Sequence, residues 1–335
     1  MLVTGGAGYV GAVLVPKLLA RGHQVRVLDW YIYGDVLQPH PNLEQVKGDM
    51  RDSDTLAQVL RDCDAVIHLA CISNDPSAEL NPELTRSVNM DAFAPLVKAS
   101  KLAGVRRFIY ASTSSVYGLS DQPDVTEDHP LVPLTDYNRY KGLCEPILLD
   151  EQTDSFVPVI IRPATVCGYS PRLRLDLSVN ILTNLAVNKG EITVFGGSQM
   201  RPNIHIQDIT DLYCQLLEEP DVRIAGQTFN AGYQNRTIAD IAQIVKGIVS
   251  KRVPGREDMR IITTPSDDIR SYHISAEKIR RHLGFVPRYT IEDAVNELVD
   301  AFLAGKIPNS LTDDVYYNIR TMRRLEPQLA MGMTV

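Results

Sequence analysis

The stretch Thr4-Gly5-Gly6-Ala7-Gly8-Tyr9-Val10-Gly11 decides the fold of this chain. It follows a short apolar strand, Leu2–Thr4, and opens a helix, Gly11–Arg21, that stops at Gly22. Glycines at this spacing are weak evidence when they stand alone. Between a strand and a helix they are the pattern of a βαβ unit that binds a dinucleotide. The stretch therefore predicts a dinucleotide-binding turn at the start of the chain.

The three glycines have separate roles in such a turn. Gly5 permits the tight turn itself, Gly8 lets the backbone approach a pyrophosphate, and Gly11 lets the helix pack closely on the strand. The pyrophosphate then lies on the backbone N–H groups of the helix N-terminus, next to Tyr9 and Val10. We therefore predict that Gly5, Gly8, Tyr9, Val10 and Gly11 bind the cofactor.

Short β-branched runs alternate with helical patterns over the first two-thirds of the chain. After the first strand and helix, the predicted elements are strand Gln24–Asp29, helix Leu56–Arg61, strand Ala65–Ala70, helix Val88–Ala103, strand Arg107–Ser112, helix Tyr137–Asp150 and strand Val157–Arg162. This βαβα series predicts an α/β fold of the Rossmann type, with a doubly wound parallel sheet and right-handed crossovers.

The alternation of strand and helix patterns weakens after about Arg162, where segments rich in Gly, Pro and Asn separate shorter elements. We predict a Rossmann domain over residues 1–165 and a smaller substrate-binding region over 166–310, interleaved with the first. Residues 311–335 form a polar tail to which the sequence assigns no role. Ligands of open α/β sheets bind at the carboxyl ends of the strands, so the smaller region is expected there.

The composition narrows the class of protein. The chain has 335 residues, is 44% apolar and carries a formal net charge of −7, which argues against nucleic acid or an anionic membrane as partner. Its five cysteines include no CxxC pair, and no apolar run reaches the length of a signal peptide or membrane span. We expect a cytoplasmic protein.

No metal site is predicted, because no further ligands complete a site with His205 and Asp208.

The residue that ends the second strand selects the cofactor. Asp29 lies about 20 residues beyond the glycine turn, where a carboxylate accepts hydrogen bonds from adenine-ribose hydroxyls and repels a 2′-phosphate. The next residue is Trp30 rather than arginine, so NAD is favoured over NADP. Further cofactor contacts are predicted where later strands end, at Asp49, Met50, Leu69 and Ala70.

A tyrosine and a lysine share one face of a later helix. Tyr137 and Lys141 stand at i and i+4, and an ammonium beside a phenol favours the phenolate, lowering its pKa from about 10. Such a phenol can take the proton of a sugar hydroxyl while hydride leaves the carbon. The preceding strand ends in Thr113-Ser114-Ser115-Val116-Tyr117-Gly118, and a hydroxyl at that strand end can bond the reacting oxygen.

These motifs together resemble a known family. The glycine turn, Asp29, Gly48-Asp49-Met50, His68-Leu69-Ala70, the stretch 112–118 and Tyr137-Asn138-Arg139-Tyr140-Lys141 follow the order seen in extended short-chain dehydrogenase/reductases. The similarity reaches about Leu303 and is closest to the nucleotide-sugar epimerases, dehydratases and dehydrogenases of that group. It implies Tyr137 as acid/base, Lys141 as its electrostatic partner and ribose ligand, and Thr113 on the substrate oxygen.

The resemblance also implies a nucleotide-diphosphate sugar as substrate. Arg162–Gly168 resembles the RxxNxxG stretch of the family, with Thr165 at the position of the asparagine. Arg201 and Arg270 resemble the arginines that bind the substrate diphosphate, which suits the bidentate bonding of guanidinium to phosphate. Asn180 is predicted to face the substrate as well.

The residues after Thr113 bear on the reaction. Family members that eliminate water carry an Asp-Glu pair there, and the decarboxylases keep a glutamate at the second position. This chain has Ser114 and Ser115, and a serine without an activating partner is a poor base for a C–H proton. The sequence therefore disfavours dehydratase and decarboxylase chemistry.

The preferred hypothesis is a 4-epimerase, which oxidises the C4 hydroxyl and returns hydride to the other face of the sugar. The main alternative is a C4 dehydrogenase that releases the keto sugar, because Ser170-Pro171-Arg172-Leu173-Arg174 is similar to a segment of enzymes that act on GDP-heptoses. A 3,5-epimerase using Cys71 or Cys167 and a non-catalytic NAD sensor are less favoured.

A homodimer is expected from the same resemblance, since relatives pair two helices from each subunit into a bundle. The corresponding helices here are Val88–Ala103 and Tyr137–Asp150, and both carry apolar residues on more than one face.

Overall fold

The computed structural model describes residues 1–120, 122, 124–265 and 271–330 of the chain, with the backbone alone for 326–330. The strands are β1 (Leu2–Thr4), β2 (Val25–Asp29), β3 (Leu43–Lys47), β4 (Ala65–His68), β5 (Arg107–Ala111), β6 (Val157–Pro163), β7 (Thr165–Cys167), β8 (Glu191–Phe195), β9 (Met200–His205), β10 (Gln227–Ala231), β11 (Gln234–Thr237) and β12 (Arg260–Thr264).

The α-helices alternate with these strands in the first part of the chain and dominate the second. They are α1 (Gly11–Ala20), α2 (Ser53–Val59), α3 (Asp75–Leu80), α4 (Pro82–Arg86), α5 (Phe93–Leu102), α6 (Asp136–Leu149), α7 (Ser178–Lys189), α8 (Ile206–Glu218), α9 (Asp221–Ile224), α10 (Ile238–Arg252), α11 (Glu277–Leu283), α12 (Ile291–Leu303) and α13 (Asn318–Ala330).

Seven strands of the described chain form the main sheet in the order β10-β6-β5-β4-β1-β2-β3, and all its pairings are parallel. Because successive side chains of a strand point to opposite faces, each central strand feeds two cores. Leu2 packs in one core with α5 and α6, and Val3 packs in the other with α1 and α8. The predicted doubly wound Rossmann-type sheet is confirmed.

The strand order fixes where a ligand can bind. The chain leaves β1 towards β2 on one side of the sheet and returns to β4 on the other. Crossovers that diverge in this way leave a crevice outside the carboxyl ends of the strands. The glycine turn at 4–11 connects β1 to α1 at this crevice.

The second half of the chain builds two small sheets, β11-β9-β7 and β12-β8, and a third core shared by α7, α10 and α12. It also returns to the first half, because α8 packs on α1 and β10 pairs with β6 at the edge of the main sheet. The division at residue 165, with two interleaved regions, stays a prediction.

Several element boundaries differ from those predicted. The helix expected over Val88–Ala103 contains a π-helical turn, Ser87–Asp91, before α5 begins. Within this wider turn Asn89 exchanges hydrogen bonds of 2.8 and 2.9 Å with the backbone of Ile72. Helix α2 begins before Leu56 because the Asp52 carboxylate caps it, accepting from the N–H of Asp54.

Part of the polar tail folds into a helix. Helix α13 packs against α3, a short helix that is absent from the elements predicted from the sequence. Met322 joins a small apolar cluster with Ile72, Leu84 and Val88, so this part of α13 lies beside the crevice. No helix in the described ranges has the length and apolarity that crossing a bilayer requires.

A buried ion pair joins α6 to the sheet. The Arg162 guanidinium on β6 donates to both carboxylate oxygens of Glu145 at 3.0 and 2.5 Å, and neither side chain is more than 7% exposed. The same carboxylate accepts from Ser112 Oγ at 2.6 Å, and Arg162 donates to Tyr117 Oη at 2.7 Å. The pair therefore ties α6 to the ends of β5 and β6.

We expect Glu145→Ala to destabilise the protein by about 3–5 kcal/mol, because it leaves the Arg162 guanidinium buried without its countercharge. The measurement is the free energy of unfolding in urea. Glu277→Ala is the matched control, since it removes a carboxylate whose partners Arg280 and Arg281 are exposed, and its unfolding midpoint should hardly move. Equal midpoints for the two variants would contradict the prediction.

Candidate active site

The crevice at the carboxyl ends of the main-sheet strands holds a cavity of about 440 Å³. Its walls come from the glycine turn, the ends of β2, β4 and β5, the first turn of α6, and the segments 163–166 and 172–178. Residues Arg201, Tyr272, Asn318 and Met322 complete the lining from the second half of the chain. The cavity therefore brings together residues from both regions.

The glycine turn presents bare backbone to this cavity. Gly5 has a φ of +72°, and a Cβ on it would lie 2.7 Å from the backbone nitrogen of Ala70. A Cβ on Gly11 would lie 2.4 Å from the carbonyl oxygen of Gly6. Helix α1 begins after Val10, and no described side chain caps its N-terminus. Gly5, Gly8, Tyr9, Val10 and Gly11 all line the cavity, so this cradle fits a dinucleotide phosphate.

Asp29 lies at the end of β2, where the sequence predicts a ribose-binding carboxylate. Its two oxygens accept from the backbone N–H groups of Ala7 at 3.0 Å and Tyr31 at 2.8 Å. Burial raises the pKa of this carboxyl, and these hydrogen bonds oppose the rise. The carboxylate thus braces the glycine turn while it lines the cavity beside Trp30.

The remaining predicted cofactor residues divide into two groups. Met50, Leu69 and Ala70 line the cavity. Asp49 is absent from the lining within the described residues, because its carboxylate turns to the Arg51 guanidinium at 2.6–3.1 Å. That guanidinium in turn lies 5.4 Å from the centre of the Trp30 ring. Asp49 therefore contributes to the wall through Arg51 and Trp30.

The three predicted catalytic residues meet in the cavity. Thr113 follows β5 and caps a short 3-10 turn, Ser114–Tyr117, whose Ser115 N–H donates to the Thr113 Oγ1 at 3.2 Å. Tyr137 lies in the first turn of α6, which Thr135 caps. Lys141 lies one turn further on, and its Nζ donates to the carbonyl of Ala111 at 2.7 Å.

The electrostatics of Tyr137 differ from the sequence expectation. Burial raises the pKa of its phenol well above the usual value, and Arg174 is the cation that opposes the rise. Lys141 was expected to lower this pKa, but its ammonium is bonded to Ala111 and lies 5.0 Å from the centre of the Tyr110 ring. Arg174 is therefore a second cation, besides Lys141, that bears on the Tyr137 phenol.

A chain of hydroxyl groups extends from Thr113 and was missed in the sequence. Thr113 Oγ1 donates to Ser115 Oγ at 3.1 Å, and Ser115 Oγ is 3.1 Å from Tyr272 Oη. Tyr272 comes from the loop before α11, about 160 residues away, and is buried at the cavity wall. No local pattern marks it, because the contact is made only in the folded chain.

The predicted substrate residues differ in whether they reach the cavity. Thr165 and Arg201 line it. Asn180 is fully buried beneath it, where it accepts from the N–H of Gly168 and donates to Tyr9 Oη and the carbonyl of Arg174. Its amide is thus used within the protein, and the structure places it under the site rather than facing a substrate. Arg270 lies outside the described residues.

Two arginines of the segment Ser170–Arg174 reach the cavity instead. Arg174 pairs with Asp176 at 2.9 Å and donates to Ser73 Oγ at 3.2 Å. Arg172 donates to Asn318 Oδ1 at 2.5 Å. The two arginines that stand close together in the sequence were the available signal for this part of the site. Only the structure shows that both side chains reach the cavity.

The model of the NAD dependent epimerase/dehydratase family matches residues 1–232. The chain belongs to this family, and the predicted relationship to the extended short-chain dehydrogenase/reductases is confirmed. Its cofactor is NAD, and the glycine cradle and Asp29 are the residues that fit it.

Relatives within the family differ in their reactions. The UDP-glucose 4-epimerase of Lacticaseibacillus casei is 27% identical over 317 residues, covering 88% of this chain and 94% of the relative. The UDP-glucose 4-epimerase of Thermotoga maritima has the same fold, with a TM-score of 0.80, 24% identity, and coverage of 91% and 98%. So does DesIV, a dTDP-glucose 4,6-dehydratase of Streptomyces venezuelae, with a TM-score of 0.81, 24% identity, and coverage of 94% and 99%.

We expect Tyr137→Phe to lower turnover of a nucleotide sugar by about 10²–10⁴-fold, because the hydroxyl that exchanges the substrate proton is lost. NAD binding, followed by the fluorescence of Trp30, should persist. The matched control is Tyr140→Phe, the same change one turn along α6 on a ring that packs against Arg139. Retained turnover in Tyr137→Phe would remove the phenol from the mechanism.

Proposed function

We propose that this protein is an NAD-dependent nucleotide-sugar 4-epimerase. The observation that carries the proposal is the turn after Thr113, which offers hydroxyl groups to the cavity at Ser114, Ser115 and, through Ser115, Tyr272. These groups suit hydride transfer at one carbon and provide no strong base for a second carbon. The epimerase relatives named above are in keeping with this choice.

In this proposal the protein's own groups move one proton and hold one oxygen. Tyr137 takes the proton of the C4 hydroxyl and gives it back after the sugar has turned, while Thr113 bonds the same oxygen. Arg174 acts electrostatically on this phenol, and Lys141 lies one turn further along the same helix. The glycine cradle and Asp29 would hold NAD, which would supply the redox chemistry as acceptor and donor of the C4 hydride.

Elimination of water is disfavoured because each carboxylate among the described lining residues already accepts hydrogen bonds or pairs with a cation. Asp29 accepts from two backbone N–H groups, Asp176 is paired with Arg174, and Asp75 accepts from Thr135 Oγ1 at 2.6 Å. A base for a C–H proton must be free to approach its carbon. Dehydratase and decarboxylase reactions therefore rank below epimerisation.

A C4 dehydrogenase remains the second candidate. The observation in its favour is the segment Ser170–Arg174, whose two arginines both line the cavity. Oxidation at C4 uses Thr113, Tyr137 and Lys141 in the same way, and the two reactions differ in whether the keto sugar leaves.

The deciding experiment incubates the purified protein and NAD with UDP-, GDP- and dTDP-sugars, follows NADH by absorbance, and identifies the sugars by chromatography and mass spectrometry. We expect an isomeric sugar without net NADH. Stoichiometric NADH with a keto sugar would support the dehydrogenase instead. Loss of water would contradict the argument from Ser114 and Ser115.

We further propose that the enzyme is a cytoplasmic homodimer built on α5 and α6. All five cysteines are free thiols, which suits a reducing compartment. Leu102 on α5 and Leu143 on α6 are 89% and 47% exposed, although each helix packs its other face on the sheet. Apolar side chains of this kind are expected where two helices meet a partner subunit.

Light scattering should give a mass twice the 37.3 kDa of one chain. We expect Leu143→Asp to shift it towards the monomer, because a carboxylate would be buried in the helix bundle. Val222→Asp is the matched control on α9, where the valine is 90% exposed. A monomeric parent protein at micromolar concentration would refute the dimer.

A further inference from the structure

Arg172 is a buried cation that neither the fold nor the proposed reaction explains. It lies in the loop after β7, in contact with the glycine turn, since its neighbour Ser170 donates to the carbonyl of Tyr9 at 2.8 Å. The side chain is 3% exposed, and that exposure faces the cavity. Burying a guanidinium costs free energy unless its donors are satisfied.

Only part of the Arg172 guanidinium makes hydrogen bonds within the described residues. Nη2 donates to Asn318 Oδ1 at 2.5 Å, and the guanidinium lies 3.7 Å from the centre of the Tyr33 ring. Nε and Nη1 are buried, and neither has an acceptor in the described part of the chain. The neighbouring carboxylate of Asp176 is held by Arg174. The donors on Nε and Nη1 are therefore without a partner among the described residues.

The surroundings of Arg172 indicate the ligand of these donors. Arg172 lines the cavity next to Tyr33 and near Asp29, and its loop is bonded to the glycine turn. Guanidinium N–H donors form strong charge-assisted hydrogen bonds to phosphate oxygens. Burial lowers the pKa of Arg172 to about 10, so it remains cationic at neutral pH.

We propose that Arg172 binds the diphosphate of NAD together with the glycine turn, and that Asn318 at the start of α13 holds the guanidinium in place. The first turn of α13 thereby contributes to the cofactor site. The inference rests on NAD as the cofactor and is independent of which reaction the enzyme catalyses.

The test uses the single tryptophan of the sequence, Trp30, which lines the cavity and reports binding by its fluorescence. Cofactor-stripped protein is titrated with NAD, ADP, adenosine and NADP. We expect Arg172→Gln to weaken NAD and ADP by about 10- to 100-fold, because charge-assisted hydrogen bonds to the diphosphate are lost. Adenosine carries no phosphate, so its affinity should be unchanged.

Two further variants separate charge from position. Arg260→Gln makes the same change at an exposed site on β12 and should leave all four affinities unchanged. Asn318→Ala keeps the arginine and should weaken NAD by a smaller factor while adenosine is unaffected. Asn318→Ala also serves as the test if Arg172→Gln fails to fold, which thermal unfolding without ligand will show.

Three outcomes would overturn the proposal. Equal weakening of adenosine and NAD would assign Arg172 to packing against Tyr33. A loss confined to NADP would assign it to a 2′-phosphate. Unchanged NAD affinity in Arg172→Gln, with weaker binding of UDP in a parallel titration, would assign it to the diphosphate of the sugar substrate. A sugar assay that fails while these titrations succeed would refute the proposed reaction alone.

Discussion

The site depends on the buried ion pair between Glu145 and Arg162. Glu145 lies on α6 two turns after Tyr137, and Arg162 lies on β6, so the pair sets the position of the catalytic helix against the sheet. Ser112 and Tyr117 bond the same two groups on either side of Thr113. Since breaking such a pair leaves an uncompensated charge, α6 and the 3-10 turn are held to one arrangement.

A second polar network connects regions that are far apart in the sequence. Asp176 binds Arg174 and accepts from Asn74 Nδ2 at 2.8 Å and from the N–H of Asn318 at 3.3 Å. Through these contacts the loop after β4, the segment after β7 and the start of α13 form one wall. The wall adjoins Tyr137, whose phenol is influenced by the Arg174 charge. The first residue of α13 is thus connected to the cavity wall beside Tyr137.

Local patterns predicted most of the fold and the centre of the site. The glycine turn, the strand periodicity and the Tyr137–Lys141 spacing act within a few residues of one another, and each element lies close to its predicted place. Long-range contacts were missed: β10 joins the main sheet, and Tyr272 reaches Ser115. The pKa of Tyr137 was misjudged for the same reason, because burial and Arg174 act through tertiary structure.

The way the cofactor is held bears on the choice between epimerase and dehydrogenase. An epimerase returns hydride to the sugar from which it came, so the reduced cofactor must stay bound while the sugar turns. A dehydrogenase must exchange its cofactor after each turnover. Arg172 is buried beneath Asn318, and Met322 of the same helix also lines the cavity. If Arg172 binds the diphosphate, this contact disfavours release of the cofactor, and that favours the enzyme that keeps its cofactor.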